Sequence, residues 1–249
     1  MRAFTLVVLA AFQAAAWAQP SAEKVFETLA PSVWYVWGID SGERRVSQGS
    51  GVVVGPGKVV TNCHVLSKVR HIYVQRENVI YIARLEHADA ERDVCQLDIK
   101  NFTAPAVTLG NARDVKVGQK VYALGNPQGL ESTFSEGMVS ALRSPDGKEP
   151  LIQTSAPFSQ GSSGGGLFDV EGRLVGITTF IHRGGGNLNF AVPVDWVREI
   201  GDRIQAAEER KKQQLAARAT AGAVALAPGM PAAGSSWQYR YSDRAFGGR

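Results

Sequence analysis

Cysteine and histidine are scarce in this chain, with two and four residues among 249. Cys63 and His64 are adjacent but have no third ligand nearby, so the spacing of a zinc site is missing and no metal or other cofactor is expected. Beyond residue 18 no apolar run is long enough to cross a bilayer. No internal repeat is visible, which argues against solenoid and propeller arrays. The formal net charge is +4, yet no nucleic-acid-binding motif accompanies it. The charge is also unevenly placed. Residues 198–249 hold nine basic and five acidic residues, whereas residues 19–197 hold 17 basic and 18 acidic ones. The basic balance therefore belongs to the C-terminal segment, where it fits a solvated helix and a loose end better than a specific nucleic-acid partner.

The chain begins with an export pattern. Met1-Arg2 is a short positive end, Phe4 to Ala16 is apolar, and Ala16-Trp17-Ala18 is a small-x-small cleavage site. Residues 1–18 read as a signal peptide, cut before Gln19. The rest is long enough to bury a full core.

Residues 21–32 suggest a short helix. From Val33 to about residue 194 the pattern is one of short strands. They run over Val33–Trp37, Val46–Val54, Lys58–Thr61, His71–Val74, Val79–Glu86, Val94–Ile99, Lys120–Leu124, Glu136–Leu142, Leu151–Thr154, Gly165–Asp169, Leu174–Phe180 and Leu188–Val192. Short strands at this spacing, with Gly, Pro and Asn/Asp turns, indicate an all-β barrel or sandwich. Pro105 to Val117 divides them into two halves of about six. The spacing changes after Pro193, where Val194, Trp196, Val197 and Ile200 share a helical face. A charged, alanine-rich helix is expected over 201–219 and a low-complexity tail over 220–249. The tail carries Trp237, Tyr239, Tyr241 and Phe246.

Three separated segments carry chemistry. Gly161-Ser162-Ser163-Gly164-Gly165-Gly166 sets a hydroxyl among residues that leave room around it. Upstream lie His64, in Thr61-Asn62-Cys63-His64-Val65, and Asp93, in Arg92-Asp93-Val94-Cys95-Gln96-Leu97. The order His, Asp, Ser is one of the known chain orders of a hydrolytic triad. In that reading Ser163 is the nucleophile, His64 its base and Asp93 the carboxylate that orients the imidazole. The backbone N–H groups of Gly161 and Ser163 form the oxyanion hole. Asp89 is the rival orienter and Ser162 the rival nucleophile. If His64 and Asp93 meet, Cys63 and Cys95 are brought close as well. Export permits a disulfide between them, and two buried thiols are the alternative.

The same segments resemble the trypsin-like serine endopeptidases of the bacterial HtrA (Deg) kind. The resemblance rests on Thr61-Asn62-Cys63-His64-Val65, Asp93-Val94-Cys95-Gln96-Leu97, Gly125-Asn126-Pro127-Gln128-Gly129, Ser135-Glu136-Gly137-Met138-Val139-Ser140, Gln153-Thr154, Gly161 to Gly165, and Asn189-Phe190-Ala191-Val192-Pro193. It covers roughly residues 32–200. It implies an all-β fold of two six-stranded antiparallel barrels, about 33–105 and 118–194, followed by a C-terminal helix, with the site between the barrels. It further implies polypeptide substrates, a periplasmic or secreted location, and a substrate pocket near Pro157, Phe158, Thr178 and Phe180. Homo-oligomers through the first helix or the segment from Pro193 onward are left open. The chain departs from the family pattern at Ser162, where Asn is usual, at Ser155, where Asp is usual, and at Pro157 and Phe158, where smaller or aliphatic residues are usual. About 50 residues follow the domain, too few for the PDZ domain that family members usually carry. A catalytically silent binding protein on the same fold is the alternative reading.

Overall fold

A computed structural model of the chain describes residues 19–126, 132–144, 150–180 and 188–224. The leader at 1–18, Pro127–Leu130, His182 and the tail aromatics lie outside the described residues, as does the side chain of Phe180. Helix α1 (Ala22–Leu29) starts at Ser21, whose hydroxyl accepts the Lys24 N–H at 3.2 Å, and gives way to a single 3₁₀ turn, Ala30–Ser32, that contains Pro31. Six strands follow: β1 (Val33–Ile39), β2 (Arg45–Gly55), β3 (Lys58–Thr61), β4 (His71–Arg76), β5 (Val79–Asp89) and β6 (Val94–Asp98). They close into a barrel in the order β1-β2-β3-β6-β5-β4. The second set is β7 (Lys120–Gly125), β8 (Thr133–Arg143), β9 (Leu151–Thr154), β10 (Gly166–Phe168), β11 (Leu174–Phe180) and β12 (Asn189–Pro193). It closes in the order β10-β11-β12-β9-β8-β7, and the pairings are antiparallel throughout.

The twofold alternation of strand side chains explains why β2 and β3 read as continuous apolar runs. Val53 and Val59 enter the core of the first barrel beside Val36, Val74 and Leu97. Their neighbours Val52 and Val60 point the other way, into a second cluster with Tyr122, Leu124, Phe168, Ile177 and Val192 of the second barrel. Val25 and Leu29 of α1, four residues apart on one helical face, join that cluster. Both faces of these strands are therefore buried, and the shared cluster fixes one barrel against the other. Val121, Val139, Ile152, Leu167 and Val175 fill the second barrel.

Helix α2 spans Asp195–Val224. The helix thus runs past residue 219, where the sequence placed the start of a tail, and the residues after Val224 lie outside the described ones. In the compact unit that ends at Ile204, Trp196, Val197 and Ile200 of α2 are buried in the shared cluster. Arg92 meets Glu199 at 2.8 Å and lies over the Trp196 ring, and Arg203 reaches Asp89 and Glu91, each at 2.6 Å. These contacts hold the turn between β5 and β6 against the helix. That turn carries Asp93.

Candidate active site

His64 sits in a single 3₁₀ turn, Cys63–Leu66, directly after β3. Val65 pins the turn by inserting into the first barrel's core. Asp93 directly precedes β6 and has φ of 56°, a left-handed conformation that Asp tolerates better than most residues. Its carboxylate accepts the His64 backbone N–H at 2.9 Å through Oδ1, and its Oδ2 lies 2.7 Å from His64 Nδ1. Thr179 of β11 donates to the same Oδ2 at 3.3 Å, so the second barrel helps orient the carboxylate. The Asp93 carbonyl accepts from Asn62 Nδ2 at 2.9 Å and from the Cys63 N–H at 3.4 Å. With a carboxylate facing Nδ1, the proton of a neutral imidazole resides there and Nε2 is left as an acceptor. Cys63 and Cys95 are joined as a disulfide, with 5.0 Å between their Cα atoms, which links the His64 turn to the β6 strand.

Ser163 lies in the turn before β10 and is 6% exposed. Ser162 N–H donates to Ser159 O at 3.0 Å, closing a four-residue turn with Gly161, at φ 94°, in its third position. A positive φ there suits glycine. Gly164 is the second position where only glycine fits. A Cβ on it would lie 2.1 Å from Ser50 O and 2.3 Å from Thr61 Oγ1. Its absence lets β2 run against the serine loop. The Ser163 carbonyl accepts the Ser50 N–H at 2.7 Å, and a Cβ on Gly49 would meet both that carbonyl and the Val65 side chain. Ser163 and the His64 turn therefore flank the same short piece of β2. Among the described residues His64 and Ser163 share no hydrogen bond, a looseness common before substrate binds. Gly161 and Ser163 are buried, and among the described residues neither backbone N–H donates to a protein acceptor.

The rivals fall elsewhere. Asp89 is ion-paired with Arg203 and accepts the Arg92 N–H. Ser162 is buried, with its Cβ and Oγ packed against Gly125. Of the proposed pocket residues, Pro157 is exposed and Phe158 is half-buried against the second barrel's core. Thr178 is 1% exposed, and its hydroxyl donates to Ser162 O at 2.7 Å, bracing the serine loop from behind. Among the described residues no group of three His, Cys, Asp or Glu side chains is placed to hold a metal ion. No helix among them is long and apolar enough to cross a membrane.

A model of the trypsin-like peptidase domain matches residues 49–177, which include His64, Asp93 and Ser163. The chain belongs to the trypsin-like peptidase family, in its HtrA (Deg) branch. It is 36% identical over 171 residues to a probable periplasmic serine endoprotease DegP-like from Halomonas elongata, an alignment covering 66% of this chain and 36% of the relative. Among solved structures it is similar to the HtrA-type protease AlgW with tripeptide, at TM-score 0.67 and 34% identity over 74% of this chain and 64% of that one. It is also similar to the serine endoprotease from Yersinia pestis, at TM-score 0.65 and 29% identity over 75% of this chain and 67% of that one. The protease domain thus spans about a third of the length of its curated relative.

Two residues of the site were missed from sequence. Thr179 is one threonine among several in a strand, and nothing local marks it. Ser50 had a signal, because Gly49-Ser50-Gly51 interrupts an apolar strand with three small residues, a pattern of close backbone approach. Ser50 is fully buried. Its hydroxyl donates to Gly161 O at 2.9 Å and accepts the Asn126 N–H at 2.8 Å, while its carbonyl accepts Thr61 Oγ1 at 2.7 Å. It therefore ties β2 to Gly161 and to the Ser163 carbonyl, and Asn126 to the same point. Ser50→Ala strands one buried donor and one buried acceptor, a cost of about 1–3 kcal/mol. The expected result is a fall in kcat of about tenfold to a hundredfold with KM nearly constant, read from steady-state peptide hydrolysis. A change in KM alone would place Ser50 outside the positioning of the nucleophile.

Proposed function

We propose that this chain is an exported serine endopeptidase that cleaves polypeptides through an acyl-enzyme on Ser163, acting in the periplasm or outside the cell in protein quality control. The observation that carries this reading is the pair of backbone N–H groups at Gly161 and Ser163 that have no protein acceptor among the described residues, beside a histidine held by a carboxylate. In the reaction His64 Nε2 takes the Ser163 Oγ proton as Oγ attacks the scissile carbonyl. The two N–H groups receive the oxyanion, and Asp93 stabilises the imidazolium. His64 then protonates the leaving amine, and water, deprotonated by His64, releases the acyl half. The relatives named as periplasmic endoproteases support the location and the substrate class. Homo-oligomer formation, through α1 or the segment from Pro193 onward, belongs to the same proposal. Incubation with unfolded casein tests the activity: peptide fragments are expected, and casein left intact would contradict it.

Six residues before Ser163 stands Pro157 in place of a carboxylate, and Phe158, Thr178 and Phe180 carry no charge either, so the residues assigned to the pocket offer no charge partner to Lys or Arg at P1. Cleavage after small or medium apolar residues is expected from a peptide library. Cleavage chiefly after Lys or Arg would overturn the pocket assignment.

A further inference from the structure

A cleft of ≈ 580 Å³ opens beside His64. Its walls come from the start of β2, with Arg45 and Gln48, and from the end of the His64 turn, with Lys68. Gln160, the residue before Gly161, closes it on the side of the second barrel. The position has a consequence for the reaction. Once Oγ attacks, the acyl half of the substrate is bonded to Ser163 on the second barrel. The amine half must take its proton from His64 and depart along the first barrel. A cleft lined by His64 and otherwise built almost wholly from first-barrel segments lies on that exit path.

Its charge has one sign. Among the described residues, Arg45 and Lys68 are the only ionisable side chains on its walls apart from His64, and both are exposed. Among the described residues neither makes an ion pair, whereas the adjacent Arg44 is bonded to Asp40 at 2.8 Å. The Arg45 guanidinium lies 4.2 Å from the centre of the Trp37 ring, a contact that steadies the planar group while leaving its N–H edge available. Lys68 has φ of 63°, a left-handed conformation that a lysine adopts only where the surrounding chain imposes it.

We propose that this cleft is the leaving-group subsite and that it selects polypeptides carrying Asp or Glu one or two residues C-terminal to the scissile bond. The proposal rests on the endopeptidase reading above. Two exposed cations facing one carboxylate give a preference of about tenfold in kcat/KM, which weakens as salt screens it.

The test uses quenched fluorescent peptides that share one unprimed sequence and carry Asp, Asn or Lys at P1′ or P2′, with Asp at P2 as the positional control. The wild type is expected to cleave the primed-side Asp peptide about tenfold better than its Asn counterpart, and to show no such gain for Asp at P2. In Arg45→Gln/Lys68→Gln the Asp-to-Asn ratio falls to about one. In Arg45→Glu/Lys68→Glu the preference turns toward Lys. Each ratio is taken within one protein, so a change in stability cancels. A wild-type ratio of one, or a ratio that survives both double variants, overturns the subsite. Failure of the wild type to cleave any of the peptides would instead overturn the endopeptidase reading on which the subsite depends.

Discussion

Ser163→Ala is expected to lower kcat on peptide substrates by about a millionfold, the scale seen when the nucleophile of such a triad is removed. In the proposed reaction the acyl bond forms on the Oγ of this side chain. Its loss should leave the loop standing, because the tie between that loop and β2 runs through the Ser163 carbonyl to the Ser50 N–H. Stability is therefore expected to change by no more than about 0.5 kcal/mol, read from the denaturation midpoint. Full turnover by this variant would move the reaction to another group. An unfolded variant would mean that the hydroxyl has a structural task the hydrogen-bond pattern does not reveal.

Asp93→Asn is the second large effect, with an expected loss of about 10⁴ in kcat, the magnitude known for the same substitution in a related triad. Asparagine can still accept the His64 backbone N–H through Oδ1 and tolerates a left-handed φ, so the turn is kept. What changes is the partner of Nδ1. An amide N–H₂ facing Nδ1 favours the tautomer with its proton on Nε2, and His64 can then no longer accept from Ser163. Asp89→Asn is the contrast. Its carboxylate faces Arg203, so it should cost stability and leave kcat within about threefold. Steady-state kinetics of the two variants side by side distinguish the orienter from its neighbour. Equal losses would place the turn as a whole, and not the Asp93 charge, behind the effect.

The strands were legible because strand composition and turn residues are local signals, whereas those signals left barrel and sandwich both open and the two six-stranded barrels were implied by the family resemblance. Boundaries slipped where locality fails. β5 runs on to Asp89 because the turn beyond it is held by α2, more than 100 residues later in the chain. His64, Asp93 and Ser163 could be read from short motifs that place each within its own turn. Ser50 and Thr179 could not be singled out in this way. Each acts across the barrel interface, on Gly161 and on Asp93, and such a partner is visible only after both barrels close. The sequence left the Cys63–Cys95 pairing open, because an approach of His64 to Asp93 brings the two cysteines near without deciding where their side chains point. The end of α2 was missed for a different reason: an alanine-rich stretch with glycine nearby suits a helix or a loose tail almost equally by composition.

The central claim is a covalent acyl-enzyme on Ser163, prepared by His64. The most direct measurement is a rapid acid quench of the protein during hydrolysis of an activated ester, followed by mass mapping of its peptides. The predicted result is one acyl group per chain, located on Ser163 and formed at the rate of the initial burst. The same adduct should be strongly reduced in His64→Ala. An acyl group on another residue, or ester and casein turnover with no acylated Ser163 at any time, would contradict the account.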